Sequence, residues 1–207
     1  MKVFILIACW CLFFTIHAVQ VPAPTAVDSK SEDYVIYSVV LNEYFAKQQQ
    51  IKHVVIGDHT MMDFPPILMG MSGFGDSMKE IRETASKDLL KDYTQKNKIS
   101  VLLEARFSSR LPVALISEAQ RDRIFDIKGE REKKTANLDG LKKLERLYHN
   151  SQGFMSLSRI GFSKDSTQAL VYVGNVCGGL CGSGQFFFLV KAGNRWKVKL
   201  LATTWVS

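Results

Sequence analysis

From Phe154 onward the sequence alternates short apolar runs with turn-forming residues. Four runs rich in β-branched and aromatic residues are separated by a polar turn, by a glycine-rich segment with two cysteines, and by a second turn. The runs are FMSLSRIGF, TQALVYVG, QFFFLV and RWKVKLLATTWV. Runs of this length with hairpin-like connections are typical of neighbouring antiparallel strands. The pattern predicts a four-stranded antiparallel meander in the C-terminal third and limits the chain to folds that contain one.

The last of these runs indicates how the sheet is buried. From Arg195 to Leu200, basic residues alternate with apolar ones. Successive side chains of a strand point to opposite faces, so the alternation indicates a sheet with one face in the core and the other in solvent. We therefore expect the helices to pack on one face of this sheet.

The chain before the meander is dominated by helical periodicity. Apolar residues at helical spacing predict helices over 31–49, over 77–97 and within 118–150. Ser117 and Gln120 have the spacing of a capping box, which satisfies backbone donors at the start of a helix. These helices together with the meander predict an α+β fold.

Three short runs in the same region predict strands. They are HVVIG (53–57), SVLLEARF (100–107) and PVALIS (112–117), each rich in β-branched or apolar residues. No repeat of fixed period is present in the sequence. The length and the distribution of elements predict one α+β domain over residues 31–207.

The amino terminus has the pattern of a signal peptide. Lys2 precedes an uninterrupted apolar run from Val3 to Phe14, which ends near the small residue Ala18. The run is shorter than the roughly twenty apolar residues that a membrane-spanning helix needs. We expect a signal peptide over 1–18, a flexible lead-in over 19–30, and a mature protein that is secreted or periplasmic.

The sequence of the amino terminus is compatible with alternatives to this cleavage. Cleavage after Ala23 or Ala26 is also compatible with the sequence, and an uncleaved segment would act as a membrane anchor. Residues 6–9 fit a bacterial lipidation signal in residue type, with Cys9 as the modified residue, although few residues precede it. We expect contact with a membrane only if the segment is retained or lipidated.

The net charge does not identify a partner. The formal charge is +7, and loss of Lys2 with the signal peptide would lower it by one, to +6. The most charged stretch, Glu118 to Arg146, mixes both signs and lacks aromatic residues spaced for base stacking. A solvated helical face accounts for this composition better than a nucleic-acid groove does, and we expect no nucleic-acid partner.

Two cysteines remain after the predicted cleavage, Cys177 and Cys181. An even pair in an exported chain indicates a disulfide, and the intervening glycines allow a tight turn. A reactive thiol is the alternative, and it would need His53, His59 or His149 as its base. Redox activity of a strained short ring is a further alternative.

No ligand set for a metal or cofactor is evident. Two thiolates would need two further ligands to hold zinc, and no second pair of cysteines or histidines has suitable spacing. We therefore predict neither a metal site nor a cofactor.

Other residues with reactive or ligand-binding side chains have simpler structural explanations. Asp58 beside His59 could orient or ligate, but adjacent strand residues point to opposite faces, which favours a turn. The methionine-rich segment 61–78 is predicted to be an irregular loop that either binds a ligand or covers the core. Ser158 and Arg159 interrupt the first meander strand, which a buried hydrogen bond or a β-bulge would explain.

Two pairs of charged residues carry groups that are capable of acid–base chemistry. Glu104 lies two residues before Arg106, and Glu118 and Asp122 share one helical face. Spacing alone does not shift a pKa, so we expect these residues to have a surface role.

The segment LSRIGFSKDSTQALVYVGNVCGGLCGSGQFFFLVKAGNRWKV, with the closing TWVS, resembles a group of exported bacterial proteins without an assigned activity. YSVVLNEYF and HVVIGDHT extend the resemblance more loosely, whereas LERLYHNSQG departs from the Tyr-Pro-rich form of the group. The resemblance implies an envelope or extracellular location and offers no catalytic residues.

These observations predict an exported protein that is a non-enzymatic binding or structural domain of the bacterial envelope. Its partner would be a protein or a small molecule of that compartment. The alternative is a Cys/His-dependent hydrolase or a thiol-redox enzyme that uses Cys177 or Cys181.

Overall fold

The computed structural model describes residues 31–62, 76–125, 134–178 and 180–207. The predicted signal peptide, the lead-in and Cys9 lie outside the described residues, as does most of the methionine-rich segment.

The structure describes five helices. They are α1 (Ser31–Tyr44), α2 (Asp76–Thr84), α3 (Lys87–Lys96), α4 (Glu118–Phe125) and α5 (Lys134–Leu147). None of these helices combines the length and the apolar character that crossing a membrane requires.

Seven strands form one mixed sheet. They are β1 (Val54–Gly57), β2 (Val113–Ile116), β3 (Phe154–Leu157), β4 (Gly161–Phe162), β5 (Gln168–Gly178), β6 (Cys181–Ala192) and β7 (Arg195–Val206). The strand order is β2-β1-β3-β5-β6-β7, and β4 also pairs with β5. β1 is parallel to β2 and β3, whereas the pairs from β3 to β7 are antiparallel. The predicted α+β class and the C-terminal meander are confirmed.

The strand predicted over 100–107 was wrong. In this part of the chain the structure shows one isolated bridge, between His59 and Leu102. The backbone N–H of Arg106 donates to the carbonyl of Glu104 at 2.8 Å, and this tight turn bends the chain away from an extended path.

The first meander strand is interrupted, as its sequence predicted. β3 and β4 both pair with β5, and Ser158 lies in the gap between them. The backbone N–H of Ser158 donates to the carbonyl of Tyr172 at 3.0 Å, and Ser158 Oγ accepts from the N–H of Tyr172 at 2.8 Å. The buried hydroxyl therefore replaces a backbone acceptor where the ladder is broken.

Helices cover both faces of the sheet, so the predicted single helical face was wrong. Ala169, Val171 and Val173 of β5 belong to the cluster that contains α1. Leu170 and Tyr172 belong to the cluster formed with α2 and α3. The prediction rested on β7, which is an edge strand, whereas the continuous apolar run of β5 is typical of a strand buried on both sides.

The helix predicted over 77–97 is divided into two helices that share one buried stripe. Ser86 interrupts the helix with an extended backbone (φ −65°, ψ 149°), and its hydroxyl accepts from the N–H of Leu89 at 3.3 Å. It thereby caps α3. Ala85 and Leu89 are buried on either side of this break, so the apolar stripe that predicted one helix continues through both.

Candidate functional site

A cavity of about 390 Å³ opens at the carboxyl ends of the parallel strands β1 and β2. Open sheets with parallel strands characteristically bind ligands in the crevice at this end. We call it the strand-end cavity, and its polar lining comes from four separate parts of the chain. The polar lining residues are Asp58, His59, Thr60, Ser100, Glu118, Arg121 and Ser156. The apolar walls are formed by Met61, Met62, Ile116 and Phe154.

A short antiparallel contact beyond β1 shapes one side of this cavity. The N–H of Leu103 donates to the carbonyl of Asp58 at 2.7 Å, and the N–H of Thr60 donates to the carbonyl of Val101 at 2.9 Å. Ser100 Oγ donates to the carbonyl of Thr60 at 2.5 Å. These bonds hold the segment after β1 against the segment before β2, so the polar residues of both have defined positions.

Asp58 and His59 form a hydrogen-bonded pair in the cavity wall. Asp58 Oδ1 lies 2.7 Å from His59 Nδ1, and the side chains are 21% and 56% exposed. Adjacent side chains point to opposite faces only within a strand. Asp58 lies just beyond the end of β1, so its side chain can meet that of His59. In a neutral ring whose Nδ1 donates to the carboxylate, Nε2 is left as an acceptor.

The start of α4 brings a charged pair to the cavity. The predicted capping box is confirmed: Ser117 N–H donates to Gln120 Oε1 at 2.8 Å, and Gln120 N–H donates to Ser117 Oγ at 3.2 Å. This cap fixes the first turn, which carries Glu118 and Arg121.

Arg121 is incompletely paired. Its Nη2 lies 3.4 Å from Glu118 Oε1 and 3.3 Å from Asp122 Oδ1, whereas its Nε is buried without a hydrogen-bond partner among the described residues. A buried donor without an acceptor is unfavourable, and the guanidinium that carries it lines the cavity, where its N–H groups are candidate donors to a polar ligand. Glu118 therefore contributes to a site that its sequence pattern did not identify.

The cysteine segment is mostly strand rather than loop. β5 extends to Gly178, which pairs with Cys181 at the start of β6. The sulfur atoms of Cys177 and Cys181 lie at bonding distance, with their Cα atoms 5.0 Å apart. Gly184 leaves space for Tyr172 and Trp205, whose Nε1 donates to Tyr172 Oη at 2.7 Å. The glycines therefore serve packing inside the strands as well as turning the chain.

The histidines do not pair with the sulfurs. Among the described residues, no hydrogen bond joins a histidine to Cys177 or Cys181: His53 Nδ1 lies 2.9 Å from the carbonyl of His149, and His59 pairs with Asp58. The described residues also contain no group of three or more histidine, cysteine or acidic side chains suited to a metal ion. Within the described ranges, neither sulfur therefore has the hydrogen-bonded base that a thiol nucleophile needs.

We expect the double substitution Cys177→Ser and Cys181→Ser to lower the free energy of unfolding by about 2 kcal/mol, because it opens a five-residue ring. Urea denaturation of unreduced wild type and variant measures the difference. Adding a reductant should bring the wild type to the stability of the variant. Alkylation of both cysteines in material kept oxidised throughout would contradict the predicted bond.

The other predicted residues have structural roles. Arg106 Nε pairs with Glu104 Oε2 at 2.6 Å on the surface. Arg159 Nη1 donates to the carbonyl of Lys96 at 3.1 Å, at the C-terminal end of α3. Neither pair lies in the strand-end cavity. Of the carboxylates predicted to lie on the surface, Glu118 is the one that lines it.

Together these features define an α+β domain with an open polar cavity at the ends of its parallel strands. The chain matches no family model, no curated protein and no solved structure in the comparisons. Function is therefore inferred from the chemistry of the site.

Proposed function

We propose that the protein is an exported, non-enzymatic domain that binds a small polar molecule in the strand-end cavity. The observation that carries the proposal is the convergence of polar side chains from four parts of the chain on one opening. The volume of about 390 Å³ is within the range of small-molecule sites. Such convergence is what fixes the orientation of a ligand.

The lining offers both kinds of contact that a polar organic molecule needs. Arg121 supplies N–H donors to the lining, and Asp58 and Glu118 supply acceptors. Met61 and Met62, at the start of the methionine-rich segment, border the same cavity and offer apolar contacts to a ligand. Residues 63–75 lie outside the described residues.

The location in the bacterial envelope is part of the same proposal. It is supported by the signal-peptide pattern before Ala18 and by the paired cysteines, since disulfides persist in oxidising compartments. The enzymatic alternative, which uses Cys177 or Cys181, is less well supported. The two sulfurs lie at bonding distance from each other, and neither is hydrogen-bonded to a histidine of the described residues.

A fragment screen by ligand-observed NMR tests this function. We expect polar fragments that bind the wild type to bind Ser156→Phe at least tenfold more weakly, because the larger side chain fills the cavity. Thr203→Phe is the matched control, since Thr203 is an exposed residue of β7 away from the cavity lining. Circular dichroism establishes that both variants are folded. Equal binding by Ser156→Phe, or no fragment binding to the wild type, would argue against the proposal.

A further inference from the structure

A second cavity, of about 290 Å³, lies beside the first turns of α1. It shares no lining residue with the strand-end cavity. Asp33, Tyr34 and Tyr37 of α1 line it, with the segment Val101–Glu104 and Arg159 around them. We call it the α1 cavity.

Most polar groups of the α1 cavity already have partners. Tyr37 Oη donates to the carbonyl of Ser158 at 2.8 Å, and Tyr34 Oη accepts from the N–H of Glu104 at 2.6 Å. The side chain of Glu104 pairs with Arg106, and the guanidinium of Arg159 donates to a carbonyl of α3. These groups therefore hold the walls in place.

The carboxylate of Asp33 is different. It is half-buried and makes no hydrogen bond or ion pair with any residue that the structure describes. Desolvation raises the pKa of Asp33 above its ordinary value of 3.8, and the charges of Lys96 and Arg159 oppose the rise while those of Glu32 and Asp92 add to it. A partly desolvated anion without an ion-pair partner among the described residues is unfavourable, and a bound cation would offset that cost.

The neighbouring cations are engaged elsewhere. Lys96 Nζ lies 2.8 Å from Asp92 Oδ2, and Arg159 Nη1 donates to the carbonyl of Lys96. Neither forms an ion pair with Asp33 among the described residues. Within the part of the chain that the structure describes, an external cation would therefore be the first ion-pair partner of this carboxylate.

Aromatic rings line the same cavity as this carboxylate. The rings of Tyr34 and Tyr37 meet at 71° with their centroids 5.9 Å apart, and Phe107 packs edge-on against Tyr34 with centroids 5.4 Å apart. An organic cation is attracted to the face of an aromatic ring, and apolar walls suit its alkyl groups. Val101, Leu102 and Leu103 supply such walls.

We propose that the α1 cavity binds a small organic cation, a primary or methylated ammonium group, between the carboxylate of Asp33 and the rings of Tyr34 and Tyr37. An anion would face the unpaired carboxylate, and a neutral alcohol would leave its charge uncompensated. The site is separate from the strand-end cavity and does not depend on the function proposed for it.

Titration of the full chain, followed by amide NMR, tests this site. The ligands are tetramethylammonium and n-propylammonium chloride, with tert-butanol and sodium propionate as neutral and anionic comparisons at equal ionic strength. We expect saturable shifts of the amides near Asp33 and Val101–Glu104 with the ammonium ions, and at least tenfold weaker binding of the other two. Absence of saturable shifts, or equal binding of tert-butanol, would overturn the proposal.

Substitution of the carboxylate separates this site from general surface attraction. Asp33→Asn should weaken ammonium binding at least tenfold, whereas the matched control Asp76→Asn, an exposed acid in the first turn of α2, should not change it. Asp33→Asn removes a partly desolvated charge that has no ion-pair partner in the described part of the chain, so we expect the variant to fold. Affinity of the wild type should also fall as the pH drops through the raised pKa of Asp33, since protonation removes the charge.

Two outcomes would refute the assignment even if ammonium ions bind. One is unchanged affinity in Asp33→Asn, which would show that the carboxylate is not the recognition group. The other is a set of shifts centred on Ser156 and Arg121, which would place the cation in the strand-end cavity instead.

Discussion

Replacing Gly161 by alanine is expected to lower the free energy of unfolding by about 3 kcal/mol, because α3 lies directly on this residue. A Cβ atom at Gly161 would lie 2.5 Å from Cβ and 2.7 Å from Cα of Tyr93. The obstacle is helix backbone, which a rotamer change cannot move. Urea denaturation measures the loss in free energy of unfolding. We attribute this loss to the added Cβ atom, which would push α3 away from β4.

Gly174→Ala is the matched control for this substitution. Gly174 is also a strand glycine, and neither position has a positive φ. A Cβ at Gly174 would meet Tyr172 Cε1 at 3.7 Å, which is an ordinary contact. We therefore expect a change within about 1 kcal/mol for Gly174→Ala. Equal losses in the two variants would contradict the close approach of α3 as the cause.

Local signals predicted the elements that are defined by neighbours in sequence. The capping box of Ser117 and Gln120 forms as expected, and the strand pattern after Phe154 gives the meander. Such signals depend on the backbone within one turn or one hairpin. They therefore remain visible without knowledge of the tertiary fold.

Parallel pairing could not be predicted in the same way. β1 pairs with β2 in the register Val54 to Val113, across almost sixty residues of chain, and with β3 through Ile56 and Met155. No turn connects these strands directly, so no local residue pattern reports their order. The burial of β5 on both faces follows from the same tertiary arrangement.

The strand-end cavity depends on that pairing. Asp58 and His59 could be singled out because they follow a predicted strand, but Arg121 and Ser156 join them only once β1 lies between β2 and β3. No feature of the sequence around Asp33 indicated a binding site. Acidic residues in the first turn of a helix are common because they favour its positive end, so its position there suggested nothing further.

Asn97→Leu is expected to lower the free energy of unfolding by about 3 kcal/mol, because one buried amide joins the end of α3 to the break in the first meander strand. Asn97 Oδ1 accepts from the N–H of Arg159 at 2.7 Å, and its Nδ2 donates to the carbonyls of Arg159 at 3.0 Å and Tyr93 at 2.9 Å. Leucine of similar size would leave the backbone polar groups of Arg159 without these partners in a partly buried position.

Thr94→Val on the same helix is the control for Asn97→Leu. The hydroxyl of Thr94 donates to the carbonyl of Leu90 at 2.8 Å, within α3 itself, so valine should cost about 1 kcal/mol or less. Chemical denaturation compares the two variants under identical conditions. A loss for Asn97→Leu no larger than that for Thr94→Val would mean that the amide of Asn97 does not stabilise the contact between the helix and the broken strand. The larger loss is expected because Asn97 spans two segments that are 62 residues apart.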